Sequence, residues 1–208
     1  MKSNPPGVAG ARVRLASAVR QSHGTWRGWV RSMLAQLEFL TGRLTPWTVA
    51  QLSGQRPHRY VFVCLGNINR SAFAAEVARR CGLHCASIGL STATGLPAYE
   101  KAIVQAAAMG YDLTAHRATH IADYGWQEGD LLFAMEVRHV RWMIDSGIPS
   151  SAIALLGFWA APQRIHLHDP HTLSDEYFAT CFTLIESAVR RLSMSMGQGS
   201  GGQWESPQ

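Results

Sequence analysis

Tyr60-Val61-Phe62-Val63-Cys64-Leu65-Gly66-Asn67-Ile68-Asn69-Arg70-Ser71, followed by Ala72-Phe73-Ala74-Ala75-Glu76-Val77-Ala78-Arg79-Arg80, decides how this chain folds. Tyr60 to Val63 are β-branched or aromatic and read as a buried strand, and the Ala-rich run after Ser71 reads as a helix. The segment from Cys64 to Ser71 is then a strand-to-helix loop. Its backbone N–H groups and the free N–H groups of the first helical turn converge on one point, where the helix dipole adds positive potential. Such a loop suits an anion, and a thiol and a guanidinium stand at its two ends.

Cys64 and Arg70 bracket five residues in a Cys-x5-Arg-Ser pattern. Phosphomonoester transfer through cysteine needs this spacing: sulfur points at phosphorus while the guanidinium fork holds two non-bridging oxygens. The positive field there favours thiolate over thiol. A bare Cys-x5-Arg is equally a buried structural cysteine at a strand end. Gly66, Asn67, Ser71 and the preceding strand favour the catalytic reading.

Cys-Leu-Gly-Asn-Ile-Asn-Arg-Ser with its following helix resembles the signature loop of the low-molecular-weight protein tyrosine phosphatases, and the likeness runs from about Arg59 to about Leu192. The resemblance implies that Cys64 is the nucleophile and Arg70 the phosphate clamp. It makes Ser71 a hydroxyl donor to the thiolate and Asn67 the residue that fixes a strained loop. The phosphate cradle is then Leu65, Gly66, Asn67, Ile68, Asn69, Arg70 and Ser71. Asp169-Pro170 is by itself an ordinary turn signal, but its place downstream matches the family's general-acid motif. His116 resembles the family's buried histidine that bonds the loop asparagine, a supporting role.

Charge is unevenly shared. Residues 1–59 carry nine Lys or Arg against one acid, Glu38, for a net +8, and the remainder is −3. The basic balance therefore belongs to the N-terminal segment, and nothing in the chain marks a nucleic-acid site. Four cysteines (Cys64, Cys81, Cys85, Cys181) make no disulfide framework, and a working thiolate calls for a reducing compartment, the cytoplasm by default. Arg12 and Arg14 interrupt the early apolar residues, so no secretory signal is expected. The tight histidine group, His166, His168 and His171, has no strong zinc spacing, so neither metal nor cofactor is expected.

Three regions are expected: a basic, partly helical extension over 1–57, a phosphatase-like domain over 58–194 and a disordered tail over 195–208. Residues 1–24 read as a mobile arm with a short helix between Val8 and Val19. A clear helix follows, with Trp26, Trp29, Val30, Met33, Leu34, Leu37 and Leu40 at spacings of three and four, Thr25 as cap and Gly42 as stop. Pro46 to Gly54 suggests another short helix. The apolar stripe leaves three readings open: packing on the body or on another copy, contact of residues 25–41 with an anionic membrane, or docking of a partner or import machinery. The oligomeric state stays open too.

From Arg59 strands and helices alternate, which argues for a parallel sheet covered on both faces. Strands are expected at Tyr60–Val63, Cys85–Gly89, Leu131–Ala134 and Ala152–Leu156. Helices are expected from Ser71 to Cys81, from about Pro97 to Gly110, from Glu136 to Asp145 and from Ser174 to Leu192. The family resemblance implies a compact four-stranded α/β fold in the order 2-1-3-4, with Cys64 at the switch point beyond the strand ends.

The chain departs from the family in several places. Asn69 stands where many members carry a second cysteine, so a protective disulfide at Cys64 is not expected. Ser91 to Leu96 holds no aromatic wall for a substrate ring, His171 takes the place of another, and Glu136 and Thr119 replace the usual Asp and Arg. The leading reading is a cysteine-dependent phosphomonoesterase acting on a phosphotyrosine protein or a small phosphomonoester. The resemblance also implies a bacterial tyrosine kinase of polysaccharide export as a partner. A binding protein with a degraded slot and a thiol-coupled arsenate reductase are the competing readings. The second needs relay cysteines that Cys81, Cys85 and Cys181 are badly placed to supply.

Overall fold

The computed structural model describes residues 8–48 and 57–197. Two helices lead, α1 (Val8–His23) and α2 (Trp26–Leu40), and a 3-10 turn at Thr45–Trp47 follows. Then come β1 (Arg59–Cys64), α3 (Arg70–Arg80), β2 (Cys85–Gly89), α4 (Glu100–Ala108), β3 (Asp130–Ala134), α5 (Val137–Asp145), β4 (Ile153–Leu155) and α6 (Asp175–Gly197). The four strands are parallel, in the order β2-β1-β3-β4.

Continuous apolar runs dictate that arrangement. Val61, Phe62 and Val63 on β1 and Leu132, Phe133 and Ala134 on β3 are wholly buried, as strands covered on both faces must be. On one side α3 packs on β1, β2 and α6, with Phe73 stacked on Phe182 at 4.1 Å between ring centroids. Elsewhere α5 lies on β3 and β4, and Phe133 meets Trp159 edge to face. The order reverses between β1 and β3. Their carboxyl ends therefore open side by side, one giving the Cys64 loop and the other Met135-Glu136.

The N-terminal segment departs most from expectation. Residues 8–23 form one helix of 16 residues rather than a short helix in a mobile arm. It is docked, with Val19 buried, and the Arg164 guanidinium donates to the Ser22 carbonyl at 2.7 Å. Gly24, at φ +74°, turns the chain into α2. Thr25 caps α2 as expected, accepting from the Gly28 N–H at 2.9 Å.

The apolar stripe of α2 does not pack on the body. Gly28, Ser32 and Ala35 are buried instead, Phe39 packs on Phe158, and Trp26, Met33, Leu34, Leu37 and Leu40 are exposed. The cause is close approach: a Cβ at Gly28 would lie 2.7 Å from the His168 ring, so the small-residue face lets α2 sit nearer than its leucines could. Past Trp47, the expected helix to Gly54 lies largely outside the described residues. The last helix continues five residues beyond Leu192, to Gly197, so the expected tail begins later; 198–208 lie outside the described residues. Among the described residues no helix is long and apolar enough to cross a membrane.

Candidate active site

The loop after β1 is built around Asn67. Its φ of +51° is left-handed, a conformation a non-glycine residue keeps only when its surroundings hold it. Three bonds do so. The Asn67 side-chain N–H donates to Ser71 Oγ at 2.9 Å, its side-chain oxygen accepts from the Thr119 N–H at 2.8 Å, and its carbonyl bonds His116 Nε2 at 2.7 Å. Burial holds the His116 ring below its ordinary pKa, so it stays neutral beside that carbonyl. The residues after β2 brace the loop from outside, Leu90 N–H donating to the Cys64 carbonyl and Ser91 N–H to that of Leu65.

So held, the loop wraps the thiol. Cys64 Sγ lies 3.0 Å from Ser71 Oγ and accepts from the Asn67 N–H at 3.3 Å. Among the described residues the N–H groups of Gly66, Ile68 and Asn69 donate to no protein acceptor, leaving them for an anion. Cys64, Leu65, Gly66, Ile68, Asn69, Ser91, Asp169 and His171 line an open recess of about 200 Å³.

Arg70 closes the loop from beneath, fully buried at the start of α3. One terminal nitrogen donates to Glu136 Oε1 at 2.6 Å and to the Leu167 carbonyl at 2.8 Å. The other donates to Asp169 Oδ2 at 2.7 Å, and Nε keeps its hydrogen unused. Burial alone would weaken this cation. Asp169, Glu136 and Cys64 outweigh that cost and hold its pKa above the ordinary value. Burial likewise opposes both carboxylates, and the Arg70 charge overrides it, keeping Asp169 and Glu136 below the usual carboxylate range.

Asp169 reaches this place on a tethered segment. The Leu167 N–H donates to the Met135 carbonyl at 3.0 Å, the Tyr177 hydroxyl donates to the His168 carbonyl at 3.2 Å, and Thr25 Oγ1 lies 3.2 Å from His168 Nε2. The cap of α2 thus touches the residue before Asp169. Behind Arg70, Glu136 carries a salt bridge to Arg138 at 2.7 Å and faces the buried rings of His139 and His166 at 3.9 and 3.7 Å. Burial lowers these imidazoles to about 3 and about 4.

The structure brings Cys64, Arg70, Ser71, Asn67, His116 and Asp169 into one constellation. Two features were not legible beforehand. Tyr99, at the start of α4, donates its N–H to the Ile68 carbonyl and sets its ring edge-on to His171 at 4.6 Å. Glu136, noted only as a departure, is a direct partner of Arg70. The other cysteines stand apart: Cys181 is buried against the His168 carbonyl and Cys85 donates to the Ala75 carbonyl, with neither lining the recess. That is no disulfide relay.

Comparison with known proteins agrees with this geometry. The family model described as low molecular weight phosphotyrosine protein phosphatase matches residues 59–200. The low molecular weight protein-tyrosine-phosphatase Wzb of Escherichia coli K12 is 31% identical over 137 residues, covering 64% of this chain and 92% of that protein. Two crystal structures superpose with TM-scores of 0.59. Wzb of Escherichia coli K30 in complex with sulphate is 27% identical, over 67% of this chain and 98% of that one. The tyrosine phosphatase AmsI of Erwinia amylovora is 25% identical, over 66% and 92%. A sheet in the order 2-1-3-4 that opens on a Cys-x5-Arg loop, and a match over most of the chain, lead to one conclusion: this protein belongs to the low molecular weight protein-tyrosine-phosphatase family of cysteine-dependent phosphomonoester hydrolases.

Proposed function

We propose that Cys64 carries the phosphoryl group, that Arg70 and the loop amides hold its oxygens, and that Asp169 moves the protons. An arriving phosphate takes the place that Asp169 now holds on Arg70 and accepts from Arg70 Nε and from the N–H groups of Gly66, Ile68 and Asn69. The sulfur forms a bond to phosphorus as the ester P–O bond breaks, and Asp169, protonated once freed from the guanidinium, gives its proton to the leaving oxygen. Water then attacks the phosphocysteine, Asp169 takes its proton, the S–P bond breaks, and the thiolate returns to its donors Ser71 and Asn67.

The observation that carries this reading is the shared recess, with Cys64 and Asp169 both on its lining and Arg70 bonded to Asp169. Phosphotyrosine proteins are the substrate class that the relatives' names support, and the family resemblance adds a polysaccharide-export tyrosine kinase as the partner to test first. His171, backed by Tyr99, serves as one ring wall, while exposed Ser91 supplies none, so ring recognition is one-sided. A thiolate of this kind works in a reducing compartment such as the cytoplasm. Cys64→Ser should abolish hydrolysis of para-nitrophenyl phosphate while phosphate still binds; turnover by that variant would end the proposal.

A further inference from the structure

We infer that α2 is a docking element for an anionic lipid bilayer, lying in the headgroup plane with its outer face inserted. The helix has two faces that differ in kind. At 3.6 residues per turn, Gly28, Ser32, Ala35 and Phe39 share one side and pack on the protein, and Trp26, Met33, Leu34, Leu37 and Leu40 share the opposite side and are exposed along the whole helix. Trp26 stacks on Trp29 at 4.5 Å at the start of this face, an amphipathic aromatic pair suited to the boundary between headgroups and chains. The helix is seated through Gly28, where a Cβ would lie 2.7 Å from the His168 ring, so burying its leucines instead would give up that close approach.

Charge chooses the occupant. Arg27 and Arg31 border one edge of the face, both exposed, and exposed Arg43 follows its end. Glu38, the single acid of α2, is tied to Arg141 at 2.9 Å, so no free negative side chain of the helix borders the face. A second copy laid antiparallel against this face would bring the arginine edges together. An anionic headgroup layer meets the same arginines with opposite charge, and each arginine held near such a surface raises partitioning by roughly fivefold. At 15 residues α2 is too short to span a bilayer, so the contact is superficial. The face begins one residue from Thr25, which touches the residue before Asp169. Docking would therefore set the reaction beside the bilayer and favour phosphorylated substrates held there. The inference is independent of which residues carry the chemistry.

The test is cosedimentation of the full chain with vesicles of phosphatidylcholine alone or mixed with phosphatidylglycerol, with turnover of para-nitrophenyl phosphate measured in parallel. Binding should occur on the mixed vesicles only and weaken as salt is added. The double variant Leu34→Glu/Leu37→Glu should lose binding by at least about tenfold, and Arg27→Gln and Arg31→Gln by about fivefold each. Turnover in free solution should stay unchanged in all of them. These side chains are exposed, so circular dichroism should show the wild-type fold. Absence of binding, equal binding to neutral vesicles, binding unaffected by the glutamates, or a stable dimer dispersed by Leu37→Glu in place of vesicle binding would each overturn the inference.

Discussion

Around Cys64 the protein buries polar groups: Asn67, Arg70, Ser71 and Glu136 are each 0% exposed. Along α2 it exposes apolar ones, Trp26 at 61%, Leu37 at 57% and Leu40 at 74%. Each region inverts the ordinary partition of a folded chain, in opposite directions. The first inversion is answered inside the molecule for the side chains of Asn67 and Ser71 and the two ends of the Arg70 fork, while Arg70 Nε and the amides of Gly66, Ile68 and Asn69 stay open toward the recess. Among the described residues the second is left unanswered. The regions meet where Thr25 and Gly28 lie against His168, so substitutions away from that seam should divide between those that stop chemistry and those that leave it alone.

Among substitutions that keep the Cys64 nucleophile, Arg70→Lys should have the largest effect on the polar side. The ammonium keeps one charge but loses the fork that reaches Asp169, Glu136 and the phosphate together. A fall in kcat/KM of about 10³-fold is expected, by analogy with the loss of a preorganised donor. Steady-state kinetics with phosphotyrosine and with para-nitrophenyl phosphate should show the loss on both; a change in KM alone would break the comparison.

Acid should act next, through the same buried cluster. His139 and His166 stay neutral in the fold down to about 3 and about 4, against about 6.5 in an unfolded chain. Below that value the unfolded chain binds more protons, so stability should fall steadily as pH drops toward 4. The depressed carboxyls of Asp169 and Glu136 add a loss of the same sign at still lower pH. Thermal midpoints across this range, and a flatter slope for His139→Asn, check the assignment.

Gly28→Ala should cost less, about 1–3 kcal/mol, from forcing a methyl against the His168 ring. It should also lower turnover by shifting the segment that holds Asp169, which makes it the one substitution expected to cross the boundary between the two regions. Chemical denaturation read beside kcat measures both effects, and an unchanged kcat would sharpen the division further.

The unequal legibility of these regions in the sequence has a physical cause. The Tyr60–Val63 run, the Cys-x5-Arg spacing and the Ala-rich helix are local signals that agree with one another, so the strand, the loop and the place of Cys64 could be read directly. Asp169 could be identified only by resemblance, because Asp-Pro alone is a turn. The partnership of Glu136 with Arg70 arises where β1 and β3 lie side by side, a neighbourhood that no local pattern encodes. For α2 the spacing announced an apolar face but not its direction. Gly28, Ser32 and Ala35 carry almost no hydropathy signal, yet close approach makes them the buried side. Residues 8–23 were underrated for a related reason: composition suggested mobility, whereas packing against α2 and α6 supplies the order.

The most direct test of the central claim is to look for the phosphocysteine. Asp169→Asn removes the group proposed to deprotonate the attacking water, so with an activated substrate such as para-nitrophenyl phosphate the second step should become the slow one. Acid quenching in the steady state followed by peptide mass spectrometry should find phosphate on the peptide carrying Cys64. Phosphate on another residue, or an unmodified Cys64 while turnover continues, would contradict the account.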